Sequence, residues 1–405
     1  GELGLDGSIR EVPGSLPTVD LAHKQELLGC IFPEESAMET VEYEGINVFG
    51  VRTLDDVLRI LGGEEICDDL LVRNIVPASA AMEPAGSPQE VMDFAEIMGQ
   101  EAAKRGLEIA AAGGHNVIMV GAPGSGKTML ARRMPSIMPP MTLEEALETT
   151  KVHSVAGKIG AHRGLIYTRP FRAPHHLTSQ VALIGGGQSP QPGEVSLANN
   201  GVLFLDELPE FRRDTLEVLR QPLEDGIITI SRVNATLSYP CNIMLIAAMN
   251  PCPCGNYGSE TKLCLCSAHS VELYWRKFSA PLLDRIDIRI SVNDEKQEEA
   301  EYSASTAELR KEVAKAVMIQ NKRQGKKNAR LTPSEIAQFC KISEESQKIL
   351  ENAIERYGFS SRANASCLKL SRTIADMAGS QEILPEHLKE AIEMRKTYAN
   401  LLESA

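Results

Sequence analysis

A short apolar run, Asn116-Val117-Ile118-Met119-Val120, leads directly into Gly121-Ala122-Pro123-Gly124-Ser125-Gly126-Lys127-Thr128, and a helical pattern, Met129-Leu130-Ala131-Arg132-Arg133, follows at once. A strand, a G-x-x-x-x-G-K-T loop and a helix stand here in the order that a phosphate-cradling motif requires. Glycines let backbone N–H groups converge on phosphate oxygens, and the helix N-terminus adds partial positive charge. Lys127 is spaced to reach the β and γ phosphates and the Thr128 hydroxyl to hold magnesium. Residues 121–128 are therefore expected to bind ATP with Mg2+, and the chain is committed to an α/β fold with a parallel sheet.

Other strands of that sheet are read at 202–205, 243–249 and 286–290, short apolar runs separated by helical patterns. The first ends in Asp206-Glu207. Functional groups in parallel sheets stand at strand carboxyl ends, so Asp206 is expected in the magnesium shell and Glu207 beside an attacking water. A helix-capping acidic pair is the alternative. Asn250, ending the second run, is placed to sense the γ-phosphate or orient water. From about 293 the chain turns helical and charged, with helices expected near 305–320, 333–340, 344–357, 363–377 and 385–398. Residues 1–62 read as short strands at 29–32 and 46–49 and a capped helix over 53–61. Pro77, Pro84, Gly86 and Pro88 mark a linker. The expected division is an α/β domain over 1–63, a linker over 64–90, an α/β ATPase core over 91–293 and a helical lid over 294–405.

Of the 405 residues, 42 are Lys or Arg and 55 Asp or Glu, a net charge of −13 that argues against indiscriminate adhesion to nucleic acid or membrane. No apolar run approaches the ~18 residues of a membrane span. The start, Gly1-Glu2-Leu3-Gly4, resembles no signal peptide and suggests a chain beginning inside a longer protein. Four of the nine cysteines, Cys252, Cys254, Cys264 and Cys266, crowd into one short loop. Thiols so distributed suit a reducing cytoplasm and a metal site better than a disulfide framework. Two close pairs can converge to a four-thiolate structural zinc site, although C-x-C is tighter than the common C-x-x-C. Reduced thiols or an iron–sulfur cluster are the alternatives.

The motifs at 121–128, 205–207, Asn250 and 282–285 follow in the order of an AAA+ ATPase. More specific are Arg169-Pro170-Phe171-Arg172-Ala173-Pro174-His175-His176, FLDELPEF at 204–211 and NPCPCG at 250–255. Over nearly its whole length the chain resembles the magnesium-chelatase-like branch, and within it the YifB/ComM family of bacterial ATPases. Residues 1–62 resemble the latter half of the Lon-protease-like domain preceding the motor in that family, without a protease site to assign. The resemblance implies a homo-oligomeric ring, a hexamer, with each nucleotide site shared between neighbours. Arg285 would be the arginine finger entering the next subunit's site, and Arg362 a second sensor on the helical lid, touching the γ-phosphate of its own subunit. Asn199 stands where family members often carry His.

No Asp or Glu occurs between Glu148 and Glu194, while Lys151, Lys158, Arg163, Arg169, Arg172, His153, His162, His175 and His176 do. By resemblance this is an insertion facing the central pore, as is a β-hairpin read at 225–237 with Arg232 near its tip. Arg169, Arg172 and Arg232 are thus expected to contact a DNA backbone, and Lys322, Arg323, Lys326, Lys327 and Arg330 form a third basic patch. His175 and His176 read as loop-shaping or phosphate-contacting. The expected function is a cytoplasmic DNA-translocating ATPase, active in branch migration during recombination or natural transformation, with no membrane partner. The rivals are a motor driving cation insertion into a tetrapyrrole and a protein-remodelling chaperone.

Overall fold

The computed structural model describes residues 1–62, 67–75, 92–159, 164–187, 190–232, 235–258, 262–292 and 304–396. Most of the expected linker, and His162 and Arg163, lie outside the described residues. The central sheet is parallel and five-stranded. Its strands are β1 (Val117–Gly121), β2 (Phe171–Arg172), β3 (Val202–Leu205), β4 (Met244–Met249) and β5 (Ile288–Val292), in spatial order β5-β1-β4-β3-β2. Val117 pairs with both Ile288 and Ile246, Met244 with Val202, and Val202 with Phe171. The middle strands β1, β3 and β4 are buried throughout, which explains their unbroken apolar runs: helices cover both faces.

Alternate residues feed two cores. Val117, Met119, Phe204, Ile246 and Ile290 face one, shared with α1 (Glu101–Gly113), α2 (Lys127–Ile137), α4 (Thr306–Gln324) and α5 (Ser361–Met377). Ile118, Val120, Leu203, Leu205, Leu245 and Ala247 face the other, with Leu216, Tyr274 and Leu282 from short helices. The expected C-terminal helices are present, with Ser305 and Glu308 forming a capping box at the start of α4. Of these, α4 and α5 pack along one face of the sheet, and Pro333–Phe339, Glu344–Tyr357 and Pro385–Glu393 stack against α5 and one another. The two-residue β2, hidden in a stretch rich in Pro and Arg, lacks the apolar run by which the other strands are read.

Residues 1–62 hold a parallel strand pair, Gly29–Pro33 with Asn47–Val51, and the helix Leu54–Leu61 capped by Thr53 and Asp56. This block docks on α3 (Leu143–Val155) through an apolar cluster of Leu16, Met141, Ala146 and Leu165. Around it Asp20 pairs with Lys151 at 2.8 Å, Ser154 donates to Glu39 at 2.7 Å and Tyr167 to Glu42 at 2.8 Å.

The helical region is fastened to the sheet at Asp287, just before β5. Its carboxylate accepts from Ser366 Oγ at 2.7 Å and pairs with His115 Nδ1 at 3.2 Å, with the Arg395 guanidinium 3.9 Å away. Burial pushes its pKa up, but the bonds and charges of His115, Arg395 and Ser366 outweigh burial and hold it at about 2. An unfolded Asp titrates near 3.9, so this stabilisation, about 2 kcal/mol, is fully present above that pH and is lost as pH falls through about 2. Asp287→Asn is therefore expected to destabilise the protein most near pH 6, with the deficit shrinking as the pH approaches 3. Denaturant unfolding of both proteins at the two pH values checks this; an equal deficit would contradict it.

Candidate nucleotide site

Because all five strands run parallel, their carboxyl ends share one edge, and the phosphate motif stands there. Gly124 and Gly126 take φ of +85° and +89°, a backbone that residues with a Cβ rarely adopt. The Lys127 ammonium is buried inside the loop, donating to the carbonyls of Gly121 at 2.8 Å and Ala122 at 2.7 Å. Thr128 Oγ1 donates to Asp206 Oδ2 at 2.8 Å, and Asp206 Oδ1 accepts the Glu207 N–H at 2.9 Å. The hydroxyl and carboxylate expected to share a magnesium ion thus already meet. Glu207 is held at φ +50° with its side chain exposed, and Asn250 follows β4 on the same edge.

Glu207 has a partner that the sequence reading missed. His176 Nδ1 stands 3.2 Å from its carboxylate, with the imidazole against the His175 ring and edge-on to Phe211. Pairing of β2 with β3 carries the loop after β2 to this position. No local spacing reveals a contact between residues on separate strands.

Arg285 and Arg362 lie elsewhere. Both belong to the amino edge of the sheet, around a pocket also lined by Asn116, Ile243, Asp287 and Lys369. Asn116, immediately before β1, donates through Nδ2 to the Arg285 carbonyl at 2.9 Å. At about 3.3 Å per residue, β1 puts roughly 13 Å between this edge and the phosphate loop. Arg362, expected beside its own γ-phosphate, thus stands at the opposite edge of the sheet from the phosphate loop. Helix α5 begins at the amino edge, where Ser360 Oγ donates to Asp284 at 3.2 Å, and it packs on α1, so its first turn faces away from the phosphate loop. Both guanidiniums meet one carboxylate: Arg285 bonds Glu224, and Arg362 approaches it at 3.4 Å. Arg285 also donates to the carbonyls of Arg220 at 2.9 Å and Pro281 at 2.6 Å, leaving only 9% of its side chain exposed; Arg362 is 40% exposed.

Two residues expected to contact DNA are engaged internally. Arg169 is buried and donates to the carbonyls of Pro139 at 2.6 Å, Asn200 at 2.6 Å and Pro140 at 3.3 Å, and to Glu145 at 3.0 Å. Arg172 makes a two-pronged pair with Glu194 at 2.6 and 2.8 Å. A segment without carboxylates in sequence is supplied with them from outside: Glu145 and Glu194 flank it, and Asp20 takes Lys151. In the third patch Arg323 pairs with Asp376, Lys326 with Glu335 and Arg330 with Asn242, while burial lowers the Lys327 pKa to about 8. Ile227–Arg232 and Ala235–Pro240 form the expected hairpin; its turn, 233–234, and the Arg232 side chain lie outside the described residues. Asn199 is buried in a polar knot, donating to Glu148 at 2.7 Å and accepting the Asn242 N–H at 2.7 Å.

The four thiols of the 252–266 loop converge. Their sulfurs all lie within 4.8 Å of one another, with Cys252 to Cys254 at 3.4 Å, Cys252 to Cys264 at 3.7 Å and Cys254 to Cys264 at 3.5 Å. A tetrahedral zinc with Zn–S bonds of about 2.3 Å separates its sulfurs by about 3.8 Å, so the donor set fits. The Asn256 amide and Cys252 lower the Cys254 thiol to about 6, while burial and its thiol neighbours raise Cys264 to about 12, so Cys254 is the first to give the thiolate that a metal requires.

A parallel sheet with a phosphate loop, an acidic strand end and a polar sensor position on one edge defines a P-loop protein of the AAA+ type. The family model described as magnesium chelatase, subunit ChlI, matches residues 93–300, and that of its C-terminal region matches 303–395. The chain is 43% identical over 400 residues to the competence protein ComM of Haemophilus influenzae, covering 97% of this chain and 76% of the relative. It is 39% identical over 400 residues to the uncharacterized protein YifB of Salmonella typhimurium, covering 98% and 76%. A chloroplastic magnesium-chelatase subunit ChlI of Oryza sativa is 26% identical over 211 residues, covering 44% of this chain and 50% of its own. The chain belongs to the magnesium-chelatase-like AAA+ family, among the relatives of ComM and YifB.

Proposed function

We propose that this protein is an ATP-hydrolysing ring motor, a homo-hexamer, in which each nucleotide site is completed by a neighbouring subunit. The observation that carries this reading is the division of functional groups between the two edges of the sheet. At the carboxyl edge, residues 121–128 cradle the triphosphate, Lys127 neutralises the β and γ phosphates, and Thr128 and Asp206 hold Mg2+. Glu207 orients the attacking water, with His176 holding its carboxylate until nucleotide is in place. Asn250 reads the γ-phosphate. Arg285 and Arg362 act on the neighbour's triphosphate; Glu224 occupies both guanidiniums until subunits meet, and Arg285 must also release the Arg220 and Pro281 carbonyls to reach it. Bound Mg2+ supplies the Lewis-acid charge that offsets developing negative charge on the phosphoryl oxygens.

The substrate we propose is DNA, moved through the ring during branch migration. This rests on the likeness to a competence protein along 97% of the chain. Two chelatase relatives cover less than half of it, although the family models of that description match 93–300 and 303–395. With Arg169 and Arg172 engaged internally, the DNA contact is assigned to the hairpin carrying Arg232. Arg232→Ala should weaken DNA binding and reduce the salt slope by about 1, read by fluorescence anisotropy at several salt concentrations. Arg169→Ala should instead cost about 3 kcal/mol of stability and leave the DNA affinity of the folded protein unchanged. The general test is ATPase rate with and without single-stranded, duplex and four-way-junction DNA; no stimulation and no binding would favour the chelatase or chaperone reading.

Cys252, Cys254, Cys264 and Cys266 are proposed to hold a structural zinc, and the free thiols elsewhere suit a cytoplasmic location. Elemental analysis of protein purified without chelator should find about one zinc per chain; metal-free protein with four titratable thiols in this loop would refute the site. Among the described residues no helix is long and apolar enough to cross a membrane.

A further inference from the structure

The thiol loop and the phosphate loop touch. Strand β4 ends at Met249, and the chain passes through Asn250 into a tight turn in which the Gly255 N–H donates to the Cys252 carbonyl at 3.0 Å. Two of the four thiols, Cys252 and Cys254, stand inside that turn. Gly255 has φ +79°, and its open side faces Pro123, the third residue of the phosphate loop. A Cβ at Gly255 would lie 2.6 Å from Pro123 Cδ and 2.9 Å from Cγ, with Asn250 Cγ 4.0 Å away. The Gly255 backbone therefore rests on the Pro123 ring, beside Asn250. On its other side the turn is fixed by Trp275, whose Nε1 donates to the Pro251 carbonyl at 3.1 Å. The turn is a wedge between the helix Ala268–Trp275 and the phosphate loop.

We propose that this knuckle, with its metal, is a positioning element of the nucleotide site: it fixes the phosphate loop through Gly255 and Pro123. The inference rests on reading 121–128 as the ATP site and the four thiols as the zinc site, and adds a coupling between them. A tetrathiolate centre ties the 252–254 turn to Cys264 and Cys266, arriving from the far end of the loop, and removes the freedom of the intervening chain. With the turn held, Pro123 has a fixed wall, and the amides of the phosphate loop keep the convergence that phosphate binding needs. Metal loss frees the turn and blurs that convergence. Asp206 and Glu207, on a different strand, are untouched. The effect should thus fall mainly on nucleotide affinity and less on turnover at saturation.

The test uses the full chain. Zinc is removed with a chelator, the chelator is dialysed away, and metal content, helix content by circular dichroism and affinity for a fluorescent ATP analogue with Mg2+ are measured. At unchanged helix content the zinc-free protein should bind the analogue on the order of tenfold to a hundredfold more weakly, and one equivalent of zinc should restore it. Gly255→Ala, which drives a methyl into Pro123, should retain its zinc and show a similar loss; it decides the matter should the zinc-free protein unfold. Wild-type affinity in both would overturn the coupling. Protein that neither carries nor takes up zinc would overturn the metal site, and wild type that binds no nucleotide would overturn the ATP site, so the three failures are distinguishable.

Discussion

Replacing Arg285 with alanine is expected to lower ATP turnover by about 10³–10⁵ while leaving nucleotide affinity unchanged. A guanidinium presented to the neighbour's γ-phosphoryl group stabilises charge that develops only in the transition state, and such an interaction raises kcat without tightening ground-state binding. Arg285→Lys should recover little, because a single ammonium cannot reproduce the planar fork. Glu224 is half exposed and can stay solvated, but the Arg220 and Pro281 carbonyls also lose their donor, so some loss of stability is expected and thermal unfolding must show the variant still folded. Normal turnover in a folded Arg285→Ala protein would remove the arginine from the mechanism. Weakened nucleotide binding at normal turnover would give it a ground-state role instead.

The second large effect concerns the carboxyl edge. Lys127→Ala should abolish measurable ATP binding, since the ammonium that now caps the Gly121 and Ala122 carbonyls is the group expected to move onto the phosphates. Glu207→Gln should bind ATP normally yet hydrolyse it about 10²–10⁴ more slowly, because an amide keeps the shape but cannot polarise water as a carboxylate does. Equilibrium binding and single-turnover hydrolysis on both variants separate the two roles. A Glu207→Gln protein with undiminished single-turnover rate would assign water activation elsewhere.

How much of this was readable in the chain depends on the range of the interaction concerned. The phosphate loop, the strands at 202–205 and 243–249 and the thiol pairs are local patterns, and each stands where its spacing implied. Strand β2 was missed because its two residues carry no periodicity; its place is set by pairing with β3. The basic segment shows a related limit. Sequence counts carboxylates along the chain, whereas Arg169 and Lys151 find theirs across space, from Glu145 and Asp20. Arg362 is expected at its own nucleotide by resemblance, while the contact of Ser360 with Asp284 places the start of α5 at the opposite edge, which no local pattern reveals. The Glu224 and His176 contacts join elements whose proximity only the sheet order creates. Local chemistry was legible; the pairing of charges over long separations was not.

The shared site is tested most directly by mixing two inactive proteins. Lys127→Ala keeps Arg285 and Arg362 but has no working phosphate loop; a double variant, Arg285→Ala with Arg362→Ala, keeps the loop but offers its neighbour no cations. ATP hydrolysis is measured for each alone and for an equimolar mixture under conditions where rings form. The account predicts two inactive parents and a mixture that regains hydrolysis, because some interfaces then join an intact loop to intact arginines. A mixture in which mixed rings form and remain as inactive as the parents would contradict a site completed by the neighbouring subunit.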